Sequence, residues 1–340
     1  MPLLMLGLFL GQAPTWTTQT SSVAVRLRGV SAVSTQVAWA SGAGNTILRT
    51  ADGGANWQRL ASPSGDELDF RDIDAIDART AYVLSIGPGA LSRIYKTTDA
   101  GVHWVLQFTN TDPDAFYDGM AFWDADHGLA VSDSVKGEFL VIRTDDGGRT
   151  WTPVAREALP AALPNEGAFA ASGTSVTVMG RHLAWIGTGA ADRARVLRST
   201  DDGRSWQVAE TPVHAGKSAG IFSVAFRDAS HGVVVGGDHT KEAEAIENVA
   251  VTSDGGVTWS RPRAQGLSGL RTVVSYVPGT PATCIALGPL GGDISTDDGE
   301  TWTRLEADGA DTFSFAPGAA SGWAAGAGGR LSKLTLARPE

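Results

Sequence analysis

The stretch Thr50-Ala51-Asp52-Gly53-Gly54-Ala55-Asn56-Trp57 decides the fold, because near-copies of it recur along the chain. They run from Thr97 to Trp104, Thr144 to Trp151, Ser199 to Trp206, Thr252 to Trp259 and Ser295 to Trp302. All conform to Ser/Thr-x-Asp-x-Gly-x-x-Trp. The aspartates Asp52, Asp99, Asp146, Asp201, Asp254 and Asp297 are 47, 47, 55, 53 and 43 residues apart. A period of that size with strand-like content between copies indicates a β-propeller, one blade per copy. Each letter has a mechanical reason. The Asp carboxylate accepts backbone N–H groups of the following turn. Gly supplies a positive φ. The hydroxyl adds a local hydrogen bond. The tryptophans Trp57, Trp104, Trp151, Trp206, Trp259 and Trp302 bury flat surface between adjacent sheets. Calcium ligation is a poor account of these turns, since one carboxylate per turn is too few oxygen ligands.

Blade anatomy repeats around the turn. A strand such as Ile47-Leu48-Arg49 precedes it, and a strand ending in a small residue precedes that, as in Val37 to Ser41 or Val233 to Gly236. An inner strand comes first, for example Phe222 to Phe226. The expectation is four strands per blade, with the turn between the third and fourth. The tail holds a seventh copy in Thr312–Phe315, Gly322–Gly326 and Arg330–Ser332, but Leu334 stands where Asp belongs. Pro14-Thr15-Trp16-Thr17-Thr18 matches the segments just after the other turns, such as Thr301-Trp302-Thr303. The N-terminal strand is therefore expected to complete the last blade. That makes an all-β, seven-bladed, single-domain propeller over residues 14–340, closed so that no sheet edge of the ring is left open.

Composition agrees. The 340 residues include 42 Gly and 11 Trp, which favours turn-rich β structure. Only Ala155–Ala162 and Thr240–Ile246 suggest short helices. A formal net charge of −10 argues against nucleic acid as the main partner. No segment is long and apolar enough to suggest a membrane-spanning helix. The single Cys284, in an apolar run, excludes an internal disulfide and reads as a small buried hydrophobe. Residues 1–13 are apolar and end in small residues, like the later part of a secretory signal peptide. This points to a periplasmic or secreted protein, although no Lys or Arg precedes the apolar run; a cytoplasmic location is the alternative.

The repeated turns resemble the Asp-box, or BNR, repeat found in sialidases, some glycoside hydrolases, sortilin-type receptors and the photosystem II stability and assembly factor family. The chain is most similar to the last group. Phe122-Trp123-Asp124 with His127-Gly128, and Phe226-Arg227-Asp228 with His231-Gly232, carry that family's flavour. The resemblance covers nearly the whole chain. It implies a non-catalytic scaffold that binds other proteins during assembly, with no cofactor. The equivalence of His127 and His231 marks both as structural.

Strand direction places the repeated turns on one face. The variable loops lie on the other, where binding usually resides. Inner-strand starts supply the candidate partner-binding groups there: Arg26, Arg28, Arg71, Asp118, Glu166, Lys217, Arg271 and Asp311, with Asp238 from the longest loop. Arginine forks suit a carboxylate-bearing partner. Three other readings compete. A glycosidase would need two carboxylates across a sugar-sized gap, drawn from Asp118, Asp133, Glu166 and Asp238. A carbohydrate-binding propeller would expose aromatics, with Trp123 or Phe116 as candidates. A metal site would use Asp238, His239 and Glu242, and a single local cluster of that kind is a weak signal. Sialidase activity fits poorly: no Arg-Ile-Pro occurs, and of four Tyr only Tyr117 falls near that face.

Overall fold

The computed structural model describes residues 14–264 and 266–336. The leader-like residues 1–13 lie outside them. Seven antiparallel sheets form the ring. Their first strands are Leu27–Ala32, Asp69–Ala75, Tyr117–Phe122, Val176–Met179, Ala219–Phe226, Val273–Tyr276 and Thr312–Phe315. These lie side by side around the axis, with the seventh against the first. Six blades are four-stranded. Blade 5 has three full strands, and its fourth is reduced to the bridge between Val251 and Ser260.

The N-terminal strand Thr15–Gln19 pairs antiparallel with Leu331–Thr335, which makes it the outermost strand of blade 7. Gln19 fastens the seam. Its Oε1 accepts from the indole N–H of Trp57 at 2.8 Å and of Trp323 at 3.1 Å, and its Nε2 donates to Gly53 O. Trp16 packs edge-on to Phe313, filling in blade 7 the place the turn tryptophans take elsewhere.

The repeated turns are built alike. In the first, Thr50 Oγ1 donates to Asp52 Oδ1 and accepts from Gly54 N, both at 2.9 Å. Asp52 Oδ1 then accepts from Asn56 N at 2.9 Å. The same bonds recur around Asp99, Asp146, Asp201, Asp254 and Asp297. Two successive residues are left-handed, not one. Ala100, Asp202 and Asp298 occupy the first such position with φ near +60°, whereas the second is always Gly. A Cβ on Gly101 would meet Leu60 Cδ1 at 2.3 Å and the Trp39 ring at 3.3 Å. The second Gly is thus required by the neighbouring blade as well as by φ.

The turn tryptophans pack toward the preceding blade, as Trp104 of blade 2 does on Trp39 of blade 1 and Trp57 of blade 1 does in the cluster of Trp323 of blade 7. Polar locks reinforce these seams. Tyr82 Oη and Lys96 Nζ both donate to Gly147 O, and Trp185 Nε1 and Arg198 Nε both donate to Gly255 O. Of the two helical expectations, 155–162 holds only the single turn Arg156–Ala158, and 240–246 is irregular. The latter stretch is pinned by turns at Asp238 and Lys241 and reads Ala-Glu-Ala without a face to bury. No helix among the described residues is long and apolar enough to cross a membrane.

Candidate functional site

The site arises from two irregularities, both on the face away from the repeated turns. The first is a β-bulge at the same place in four first strands. Pairing slips between Leu27 and Gly29, Phe70 and Asp72, Tyr117 and Gly119, and Ile221 and Ser223. The extra residues are Arg28, Arg71, Asp118 and Phe222. A bulge turns an otherwise alternating side chain toward a new direction. Here Arg28, Arg71 and Phe222 turn toward the mouth of the central channel, whose cavity they line.

The second irregularity is in blade 4. The sequence places the start of its inner strand at Glu166, but regular pairing begins only at Val176. Residues 167–175, Gly-Ala-Phe-Ala-Ala-Ser-Gly-Thr-Ser, instead cross the channel. Ala171 O accepts from Arg28 of blade 1, and Ala170 O accepts from Arg71 of blade 2. Ser172 Oγ donates to Thr272 O of blade 6 at 2.7 Å, and Ser172 O accepts from Thr312 of blade 7 at 3.0 Å. Thr174 Oγ1 donates to Ser223 Oγ of blade 5 at 2.7 Å. Small side chains let the backbone pass where seven strands converge. The crossing segment plugs the channel and leaves a cavity above and a well below.

The cavity above has a volume of about 320 Å³. Its walls are Arg26, Arg28, Arg71, Glu242 and Asp311. Its apolar floor is the parallel stack of Phe169 on Phe222, with centroids 4.0 Å apart and His239 edge-on to both. Arg26 is committed to a two-pronged bond with Asp311, at 2.7 and 2.6 Å. Arg71 is shared between Asp69, at 2.9 Å, and the plug. Arg28 has no carboxylate partner among the described residues; its one hydrogen bond there is the long 3.4 Å contact to Ala171 O. Burial, aided by the Arg71 charge, lowers its pKa to about 10. Asp311 and Asp69 act on it only from a distance, and a partly buried guanidinium with no carboxylate bonded to it favours any carboxylate that enters.

The other candidates are placed elsewhere. Arg271 is fully buried and bonds Asp293, Ser268 and Leu270 O, so it braces blade 6. Glu166 is buried against Arg195, Thr188 and Leu163 N. Asp118, buried, and Asp133, partly buried, form a carboxyl pair. Burial and the neighbouring Asp133 push Asp118 well above the usual carboxylate range, and burial pushes Asp133 up to about 6. Asp118 Oδ2 has no hydrogen-bond partner among the described residues. Lys217 is exposed, and Asp238 folds back on Thr240. His239 and Glu242 face the cavity rather than Asp238, and no cluster of three metal-ligating side chains occurs among the described residues. Trp123 donates to Leu183 O in a seam between blades, and Phe116 bridges Pro88. Tyr117 is buried against Phe108, and Cys284 is buried.

The sequence reading missed Phe169, Phe222 as a cavity residue, and Leu270. No pattern in the chain announces a bulge, since one extra residue looks like ordinary strand.

No protein-family model matches the chain, and no curated protein sequence matches it. Solved structures do. One is described as YCF48 bound to D1 peptide, with a TM-score of 0.66 and 13% identity over 95% of this chain and 97% of that one. Another is YCF48 from Cyanidioschyzon merolae, with a TM-score of 0.66 and 16% identity over 94% and 98%. At such identities the likeness establishes the fold alone.

Proposed function

We propose that the protein is a non-catalytic propeller scaffold of the Asp-box kind. Its plugged cavity receives a carboxylate-bearing segment of a protein partner. The observation that carries this is Arg28, a guanidinium lining a cavity of about 320 Å³ with no carboxylate bonded to it among the described residues. Arg71 beside it can give up its bond to Asp69, and the Phe169–Phe222 stack offers an adjoining apolar seat. Charge plus aromatic floor suits an acidic residue or chain end next to an apolar side chain. The peptide-bound neighbour of like fold supports the reading. Export belongs to the same proposal and rests on residues 1–13 alone; N-terminal sequencing of protein secreted by its native host tests it.

The test of binding is capture from native extract by the intact protein and by Arg28→Glu. Reversal of a desolvated charge should weaken a true partner by about 2–5 kcal/mol, at least thirtyfold. A partner held by the parent should be lost by the variant, and its retention should fall with added salt. Equal retention by both proteins would remove this cavity from the account.

A further inference from the structure

Below the plug, on the face of the repeated turns, the channel reopens as a well of about 410 Å³. Its floor is Ser172, Gly173 and Thr174, and every blade contributes to its wall. The wall is apolar over Val30, Ile73, Met120, Val224, Val274 and Phe313. Its charged groups among the described residues are Asp72 and Asp74, with no Lys, Arg or His.

These two carboxylates do a job that needs no charge. Met120 N donates to Asp72 Oδ2 at 2.7 Å, and Phe122 N donates to Asp74 Oδ2 at 3.0 Å, stitching blade 2 to blade 3. Other seams use serine for the same stitch. Ser31 accepts from Ala75 N, Ser223 from Val274 N and Ser314 from Ala32 N. A hydroxyl therefore suffices, and the architecture of the ring leaves the carboxylates unexplained. They carry an energetic penalty, because burial disfavours their ionised forms and no cation offsets it. The plug also makes room for one of them: Gly173, at φ +77°, lies where a Cβ would be 2.2 Å from Asp72 Oδ1. Asp74 keeps its second oxygen without a hydrogen bond among the described residues and is partly open to the well.

We infer that the well is a second binding site, taking a small aliphatic amine whose ammonium group sits on Asp74 and whose chain lies on the apolar wall. A metal ion fits less well. One oxygen of each carboxylate is already held by Met120 N or Phe122 N, and no third acidic, His or Cys side chain joins them among the described residues, which is fewer ligands than a calcium ion takes. The remaining wall would also leave most of the volume empty. The site is separated from the Arg28 cavity by the plug, so it stands or falls independently of the protein-binding reading.

The probe is 1,4-diaminobutane, titrated calorimetrically into the intact protein, with 1,4-butanediol as the uncharged match and calcium as the inorganic rival. Saturable binding of the diamine and none of the diol is expected. Asp74→Asn, which can retain the bond from Phe122 N, should weaken it about tenfold or more, with an unchanged circular dichroism spectrum. Should that variant misfold, Asp74→Ser, which puts at this seam the serine stitch that Ser31 and Ser314 make at theirs, must show a similar loss. Three results overturn the inference: no diamine binding in the millimolar range, equal binding by a folded Asp74→Asn protein, or calcium displacing the diamine from the site.

Discussion

Single aspartates in this protein are pulled in opposite directions, and the contrast sets how stability depends on pH. In the turns, backbone N–H groups from Asn56, His103 and Thr150 hold Asp52, Asp99 and Asp146 down to about 2. A carboxyl lowered on folding contributes stability that is complete above its unfolded value of about 4 and is lost as pH falls from there toward 2. In the interior, burial lifts Asp74 and Asp133 to about 6, and lifts Asp72 and Asp118 well above the usual carboxylate range. A carboxyl raised on folding acts the other way. Its stabilisation is complete below about 4 and is lost as pH rises through the folded value. Melting temperature followed by circular dichroism should therefore peak near pH 4 to 5. It should fall by a few degrees toward pH 8 and steeply below pH 3. Asp133→Asn should flatten the upper limb and leave the acid limb in place. A profile that climbs steadily from pH 5 to 8 would contradict the burial assigned to these carboxyls.

At the level of elements, the plug is the unusual part, and Gly173 is its tightest point. Gly173→Ala would add a Cβ at 2.2 Å from Asp72 Oδ1 in a left-handed backbone, against the first strand of blade 2. Strain and displacement together should cost about 2–3 kcal/mol, measurable as a lower midpoint in urea. An unchanged midpoint would mean that the segment does not cross the channel as described. The plug also shows where sequence reading stops. The blades were legible because each carries a self-contained turn whose Asp, Gly and Trp act within eight residues or on the next sheet. Closure was legible because Thr15 to Thr18 repeats the outer-strand pattern. The crossing of residues 167–175 was not, since a run of small residues satisfies a strand, a loop or a plug equally. Its bonds go to residues about 50 to 150 positions away, as with Ser223, Thr272, Thr312 and Arg28. The candidate site was legible in Arg26, Arg28, Arg71 and Asp311, which line one cavity. It was illegible in Arg271, Glu166 and Asp118. Whether a polar side chain at a strand start faces the channel or an internal partner depends on bulges and on residues such as Asp293, Arg195 and Asp133.

The molecule as a whole is a ring whose blades are all alike in kind except one. The chain itself spans every passage between blades, including that from Gln19 of blade 7 to Leu27 of blade 1. Blade 7 alone is assembled from both ends, by the pairing of Thr15–Gln19 with Leu331–Thr335. Removing residues 1–19 would strip that ladder and open the edge of Leu331–Thr335 to solvent. It would also leave the indole N–H groups of Trp57 and Trp323 without Gln19, both in buried rings. Such an edge is a template for pairing with other chains, and the ring loses the closure that makes its sheets cooperate. The truncated protein should lose its sharp single unfolding transition and associate on concentration, read by calorimetry and light scattering. Gln19→Ala isolates the polar part. It keeps the strand but abandons two buried donors, and should cost about 2–4 kcal/mol without changing the mass in solution. If the truncated chain melts as one cooperative unit at the parent's temperature, the ring is closed by something other than this strand.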